Sequence, residues 1–424
     1  MIFGLKAITP SISETTAGLD GLRASDDHQD AAVKTASEKT AQKEQLIHRP
    51  AEYFLTLAVG GDEKSRQEIE AVFDSGSSNL IMWDKKSCKN NSGCKEKTSY
   101  DMNKDKGATK AGKDFSLAYG SATATATPVQ TKVGALCGPQ APAEIGVITQ
   151  GRNAPNILGA AYSPIAQPGE AKAFFDTYFE QTGEDQIFGM LFCGAKLGSQ
   201  IELGARLEEL AGDNREFSWT PVIHQTYYVV HVLSAKIAGE TENLGENFPA
   251  PPGKEERGVS NVTILDSGAT FSRIPQTVFQ ALVTKLKNIA TQKGVPLPAG
   301  FFGETASLKA ITAEMTASDL SHFPTLEFQL IGGKTQQEAL ADKEASFQNV
   351  TDETPITLKL GPEHYFKVMG KGKKHAKRAF SFRAGTNLLI LGQPFFESHY
   401  VEIIRKDDQG NAYIGFASND GLCG

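Results

Sequence analysis

An apolar strand running into Asp-Ser-Gly occurs twice in this chain, once in each half, and this repeat constrains the fold more than any other feature. Ala71-Val72-Phe73-Asp74-Ser75-Gly76-Ser77-Ser78 is echoed by Thr263-Ile264-Leu265-Asp266-Ser267-Gly268-Ala269-Thr270. Each copy is followed later by an apolar pair ending in glycine, Ile157-Leu158-Gly159 and Ile390-Leu391-Gly392. One such triplet arises by chance in roughly one chain in five of this length; two, each behind apolar residues and one per half, in roughly one in a thousand. Ordinary Asp-Ser-Gly turns capping unrelated strands are therefore the weaker reading. Two lobes of one design, each contributing one aspartate, is the economical one.

The chemistry follows from where such an aspartate sits. The strand fixes the carboxylate, the glycine lets the backbone turn tightly beside it, and the small hydroxyl can bond across the junction. Two such loops face to face set two carboxylates within hydrogen-bond range. Like charges that close cannot both ionise easily, so the pair shares one proton, with one apparent pKa lowered and the other raised. The ionised member can take a proton from a water held between them while the protonated member polarises a substrate carbonyl. Asp74 and Asp266 are thereby the candidate catalytic residues.

The surroundings of the repeat read as β structure. Short runs rich in Val, Ile, Phe, Tyr and Thr, bounded by Gly, Asp, Asn and Pro, predict strands over 53–59, 69–73, 115–119, 227–233, 262–265 and 388–391. Helical patterns are few, the clearest at 172–181 and, after a proline, at 276–291. The expected fold class is all-β. Residues 15–49 are mostly Ala, Ser, Thr, Asp, Glu, Lys and Gln without apolar periodicity, too polar to offset the entropy of ordering. We therefore expect a leader over 1–50, dispensable for folding, then lobes over 51–220 and 221–424 with the crossover near 216–223. The second lobe needs extra loop, and the basic run 371–378 is a candidate.

Composition removes other classes. With 43 Lys plus Arg against 50 Asp plus Glu, the net charge of −7 offers no basic field for nucleic acid. No apolar run approaches the roughly 18–20 residues of a membrane span. No secretory signal stands at the start, so the expectation is a cytoplasmic protein if the sequence is complete and a secreted or vacuolar one if a signal was removed. The eight histidines show no metal-ligand spacing, and there is no GxGxxG, P-loop or nucleophilic Ser or Cys context. No metal and no cofactor are expected.

At this point the chain resembles the pepsin-like aspartic proteases from about residue 53 to 416. The resemblance is carried by FDSGSSNL (73–80), YGS (119–121), NILGAAY (156–162), FSWTPV (217–222), LDSGAT (265–270) and LLILGQPFF (388–396). It implies a bilobal all-β fold with a cleft between lobes, and a monomeric endopeptidase acting on extended peptide or protein substrates at mildly acidic pH. It assigns Asp74 and Asp266 as the catalytic pair, with Ser75, Gly76, Ser77, Ser267, Gly268 and Ala269 supporting their loops. Tyr119, Gly120 and Ser121 fall in the flap, a hairpin closing over substrate, and the Ala/Thr alternation from Ser121 to Thr127 suits a strand of period two. Gly159 and Gly392 match the glycines beneath the catalytic loops.

Three departures stand out. The tryptophan expected seven residues after the first aspartate is Ile81, with Trp83 two places on. Ala269 replaces a hydroxyl residue. The segment 1–50 lacks the strongly basic character of the family's prosegments. The main alternative is a pepsin-fold binding or inhibitor protein whose cleft no longer cuts; such proteins usually lose an aspartate or its glycine, and both triplets here are intact.

Five cysteines leave at least one thiol unpaired within a monomer. Cys88 and Cys94 bracket a polar loop where the family often has a local disulfide; a bridge and two reduced thiols are both compatible with the sequence. Cys137, Cys193 and Cys423 carry no spacing signal and read as buried or incidental. Asn90, Asn261 and Asn349 begin N-x-S/T triplets that matter only where a glycosylation machinery is met.

Overall fold

The computed structural model describes residues 42–49, 52–89, 94, 98–119, 122–136, 138–169, 171–205, 215–245, 248–250, 261–303, 310–333, 355–407 and 410–423. Strands dominate and form two lobes. The strands predicted around the repeat are present as Glu52–Val59, Gln67–Asp74, Phe115–Tyr119, Val262–Leu265 and Leu388–Leu391. The run at 227–233 divides into Val229–Val230 and Val232–Ile237. The two longest helices among the described residues are Phe174–Thr182 and Gln276–Lys293, each closed by a glycine in the left-handed region, Gly183 and Gly294.

The repeat is realised twice in the backbone. In the first lobe Ile157–Gly159 lies parallel to Gln67–Asp74, placing Gly159 opposite Asp74. In the second, Leu388–Leu391 lies parallel to Val262–Leu265, placing Leu391 opposite Leu265. The stretches that lead into the two aspartates, 71–73 and Val262–Leu265, are buried on both faces and apolar except for Thr263, as parallel central strands require. Their burial is what fixes the direction in which the following Asp-Ser-Gly emerges.

A six-stranded sheet joins the lobes. Its order is Gln42–Gln45, Gln200–Leu203, Ile187–Leu191, His399–Ile404, Tyr413–Ser418 and Ser218–Pro221, so both halves of the chain contribute. This corrects the leader expectation at its end. Gln42–Gln45 pairs antiparallel with Gln200–Leu203, and Ile47–Arg49 pairs with Glu52–Val59. Between them Leu46 is 7% exposed within the main core, its N–H bonded to the Ser199 carbonyl. The body therefore begins by Gln42, and 1–41 lie outside the described residues.

The cysteines divide differently from the sequence reading. Cys88 and Cys94 are disulfide-bonded, closing the loop after the first motif. Cys193 and Cys423, expected to be incidental, are also bonded, across 230 residues. They sit in an apolar cluster with Leu191, Tyr400, Ala417, Phe217 and Leu422, which brings the chain end onto the six-stranded sheet. Cys137 lies outside the described residues.

The basic run forms the tip of a hairpin between Phe366–Lys371 and Ala376–Phe380. Its turn is wrapped on the Glu314 carboxylate, which accepts the backbone N–H groups of Lys373, Lys374 and His375 at 2.7, 3.2 and 3.3 Å.

Candidate active site

Asp74 ends its strand and Asp266 directly follows Leu265, so both carboxyls stand at the rim where the two lobes meet. The hydroxyls of the two triplets lock the loops together reciprocally. Ser75 N–H donates to Ser267 Oγ at 2.9 Å, and Ser267 N–H to Ser75 Oγ at 2.8 Å. Ser75 Oγ–H donates to the Leu265 carbonyl at 3.0 Å, and Ser267 Oγ–H to the Phe73 carbonyl at 2.8 Å. Both serines are fully buried. Each hydroxyl accepts one bond and donates one, so both polar groups of this dry junction are satisfied.

Glycine is required at the third position because the opposite carboxyl occupies the space a side chain would need. A Cβ on Gly76 would lie 2.4 Å from Asp266 Cγ, and one on Gly268 2.4 Å from Asp74 Oδ1. Gly159 and Gly392 back the two loops in the same way: a Cβ there would strike the Ser78 backbone at 2.5 Å and the Ala269 carbonyl at 2.5 Å. Each carboxyl thus sits against the other's loop, and a hydrogen bond between them is among the causes that shift both pKa values.

The donors around the pair are unequal. Asp74 accepts Ser77 Oγ–H on Oδ2 at 2.5 Å and Gly76 N–H on Oδ1 at 2.9 Å. Among the described residues the donors to Asp266 are backbone N–H groups, both on Oδ1, from Gly268 at 2.9 Å and Ala269 at 3.1 Å. Burial raises both pKa values. Asp74 is drawn back toward ionisation by Ser77, the shared bond and Gly76, whereas Asp266 is pushed well above the usual carboxylate range by burial and then by the Asp74 charge. The arrangement therefore favours Asp74 ionised and Asp266 carrying the shared proton.

Tyr119 ends the strand Phe115–Tyr119, paired with Ala122–Ala135. Along the latter, Ala122, Ala124 and Ala126 are buried while the intervening threonines are not, matching the predicted period of two. The Tyr119 hydroxyl is buried with no hydrogen-bond partner among the described residues, and its pKa is raised by burial and then by the Asp74 charge. Trp83 does not serve it: the indole N–H donates to the Ala154 carbonyl at 2.8 Å. Ile81, standing where tryptophan was expected, joins Trp83, Ala122, Ala124 and Ile148 in the apolar cluster against which the Tyr119 ring packs. Gly120 and Ser121 lie outside the described residues.

Two further residues belong to this region and escaped the sequence reading. Tyr227, counted only as the start of a strand, packs, as Ala269 and Leu388 do, against the cluster of Val229, Val262, Ile264 and Ile390, and has its pKa raised by burial, then by Asp266 and Asp74. The signal was the tyrosine pair Tyr227-Tyr228, in which one ring had to face away from the core. Arg405 is the other. Fully buried, it donates to the Ala160 carbonyl, to Tyr228 Oη at 2.8 Å and to the Asp176 carboxylate. Ala160 N–H in turn bonds the Asp74 carbonyl at 2.8 Å, and Leu265 N–H the Tyr228 carbonyl at 3.0 Å. One guanidinium thus ties the backbone behind both aspartates.

Comparison with known proteins agrees with this geometry. The sequence profile described as eukaryotic aspartyl protease matches residues 52–419. The chain belongs to the eukaryotic aspartyl protease family. Among curated relatives of this family member, a beta-secretase of Strongylocentrotus purpuratus is 24% identical over 288 residues, 62% of this chain and 46% of the relative. A cathepsin E of Aquarana catesbeiana is 23% identical over 397 residues, 90% of this chain and 83% of the relative. The chain thus matches less than half the length of that beta-secretase. Within the family frame the two Asp-Ser-Gly loops, the tyrosine-bearing hairpin and every strand of the interlobe sheet except Gln42–Gln45 fall inside the matched span.

Proposed function

We propose that the protein is an aspartic endopeptidase that hydrolyses peptide bonds in extended peptides or unfolded segments of proteins, using a water activated by Asp74 and Asp266. The observation that carries the reading is the reciprocal Ser75–Ser267 lock, which sets each carboxyl against the glycine of the other's loop at the lobe junction. Asp74, the member with the hydroxyl donor, is the base that takes a proton from water. Asp266 donates its proton to the scissile carbonyl oxygen, so the charge that develops there is neutralised as the water oxygen attacks. Attack is direct, and no side chain becomes covalently attached to substrate.

Tyr119 and Tyr227 are proposed to border the bound substrate. Their rings exclude water from the carboxyl pair, and the unpartnered Tyr119 hydroxyl is available to a backbone group of the peptide. The cleft is expected to favour bulky apolar residues on either side of the cut. A denatured protein incubated at mildly acidic pH should be fragmented, and a statine-type transition-state mimic should stop it. An intact substrate, or fragmentation indifferent to the mimic, would point instead to a cleft that binds without cutting.

A further inference from the structure

We propose that Asn261 is a site of N-linked glycosylation, and that the chain matures in an oxidising compartment equipped for that modification. The inference does not depend on the proposed activity. It rests on three features at separate places in the molecule.

The first is the acceptor. Asn261 opens the triplet Asn261-Val262-Thr263 and is exposed. Its backbone takes the left-handed conformation, φ 59°, with its N–H bonded to the Asn387 carbonyl at 2.6 Å. Among the described residues the side-chain amide makes no hydrogen bond. The backbone is therefore pinned while the amide is free in solvent, as an acceptor must be if the folded protein is to carry a bulky glycan.

The second is the hydroxyl two residues on. Thr263 is 2% exposed, in the middle of the buried strand Val262–Leu265, and its Oγ1 has no hydrogen-bond partner among the described residues. Its neighbours in that strand are Val, Ile and Leu. A buried hydroxyl without a partner is a cost that an isosteric valine would avoid. The folded state does not use this oxygen, but the transferase that reads N-x-S/T on the nascent chain does.

The third is the redox state. Both Cys88–Cys94 and Cys193–Cys423 are bonded, which places maturation where disulfides form and persist, the setting in which N-linked transfer also occurs. Asn90 and Asn349 lie outside the described residues.

In the transfer, Nδ2 of Asn261 bonds to the anomeric carbon of a lipid-diphosphate-linked oligosaccharide. The sugar–oxygen bond to the diphosphate breaks, the lipid diphosphate leaves with the electron pair, and the amide loses one proton. Nothing is oxidised or reduced. The strand from Asn261 to Asp266 puts the glycan about 16 Å from the carboxyl pair, at roughly 3.3 Å per residue, so it leaves the dyad open.

The full chain should be led through the secretory pathway of a eukaryotic host and treated with peptide-N-glycosidase in heavy-oxygen water, then mapped by mass. Residue 261 should be recovered as heavy-oxygen aspartate in the parent and in Thr263→Ser, and unlabelled in Thr263→Val. The same Thr263→Val, made without glycan in a bacterial host, should melt at or above the parent. Unlabelled Asn261 in secreted parent protein, or label persisting in Thr263→Val, would overturn the assignment. A lower melting temperature for unglycosylated Thr263→Val would show that the hydroxyl serves the fold after all.

Discussion

Ala269 is the residue that makes the two aspartates unlike. Ser77 donates its hydroxyl to Asp74 Oδ2, but the corresponding place beside Asp266 is a methyl group, and only backbone N–H groups remain. A hydroxyl donor favours the ionised form and so lowers a pKa. Introducing one by Ala269→Thr should let Asp266 lose its proton at lower pH. Because Asp266 is the proposed acid, the alkaline limb of the activity profile should move downward, while the acidic limb, set by Asp74, moves less. A full pH profile of kcat/KM checks this; profiles of mutant and parent that superimpose would mean that burial, not the missing hydroxyl, sets the acid. The two serines of the triplets were legible in the sequence as small hydroxyls beside each aspartate, and the family resemblance gave them the part of tying the loops; in the structure each bonds across to the other loop. The unequal partners of the two carboxyls followed from one letter, Ala269. Arg405 was invisible at this scale, since an arginine just past the end of a strand in a net-acidic chain reads by default as surface.

At the scale of elements, the hairpin bearing Tyr119 and the N-terminal strand lead to two expectations. Tyr119 keeps a buried hydroxyl without a partner, because Ile81 stands in place of an indole and Trp83 is committed to Ala154. Tyr119→Phe should therefore leave the melting temperature of the free protein unchanged or slightly higher, yet lower kcat more than it raises KM, since the hydroxyl finds its partner only in the closed complex. Loss of stability without a kinetic effect would contradict this. Leu46 anchors the strands at 42–49 to the core, and Leu46→Ala should cost about 2–3 kcal/mol in denaturant unfolding. A change below about 0.5 kcal/mol would restore the view that this segment is a dispensable leader.

These elements also mark where sequence stopped being informative. Strands such as 262–265 and 388–391 were legible because each is a buried apolar run bounded by turn residues. Gln42–Gln45 was not: its letters are QKEQ, and it is a strand only because Gln200–Leu203 offers an edge to pair with. The Cys193–Cys423 bridge has the same origin. No local spacing can signal a pair 230 residues apart that is brought together by the six-stranded sheet and the apolar cluster around it.

For the whole molecule, buried ionisable groups set a limit on acid tolerance. His399, whose ring nitrogen lies 2.7 Å from Ser398 Oγ and 3.2 Å from the Phe395 carbonyl, is lowered by burial from 6.5 to about 4. His48 is lowered likewise, by burial and then by Lys367, despite the opposing charge of Glu397. It lies against Tyr53, whose hydroxyl, with the Lys367 ammonium, bonds Glu397. A folded pKa below the unfolded value means the unfolded chain binds more protons in that window. The contribution is complete above about pH 6.5 and shrinks as pH falls toward 4, by up to about 3 kcal/mol for His399 and less for His48, whose ring is partly solvated. Glu397 adds to the trend. Burial alone would raise it, but Lys367 and Tyr53 hold it below the usual carboxylate value, so acid protonation also weakens that buried cluster. The melting temperature should therefore fall steadily between neutral pH and pH 4. A melting temperature that rises on acidification would contradict this balance.

The account stands or falls on two carboxyls acting as one unit. Its most direct test is turnover by Asp74→Asn and Asp266→Asn, each made singly, assayed on a denatured protein substrate at mildly acidic pH beside the parent. Circular dichroism and thermal unfolding should establish that all three proteins are folded. The prediction is fragmentation by the parent and none above background by either mutant, because a pair that shares a proton fails when one member can no longer carry or release it. Either mutant, folded and retaining more than a few per cent of parental turnover, would contradict the dyad.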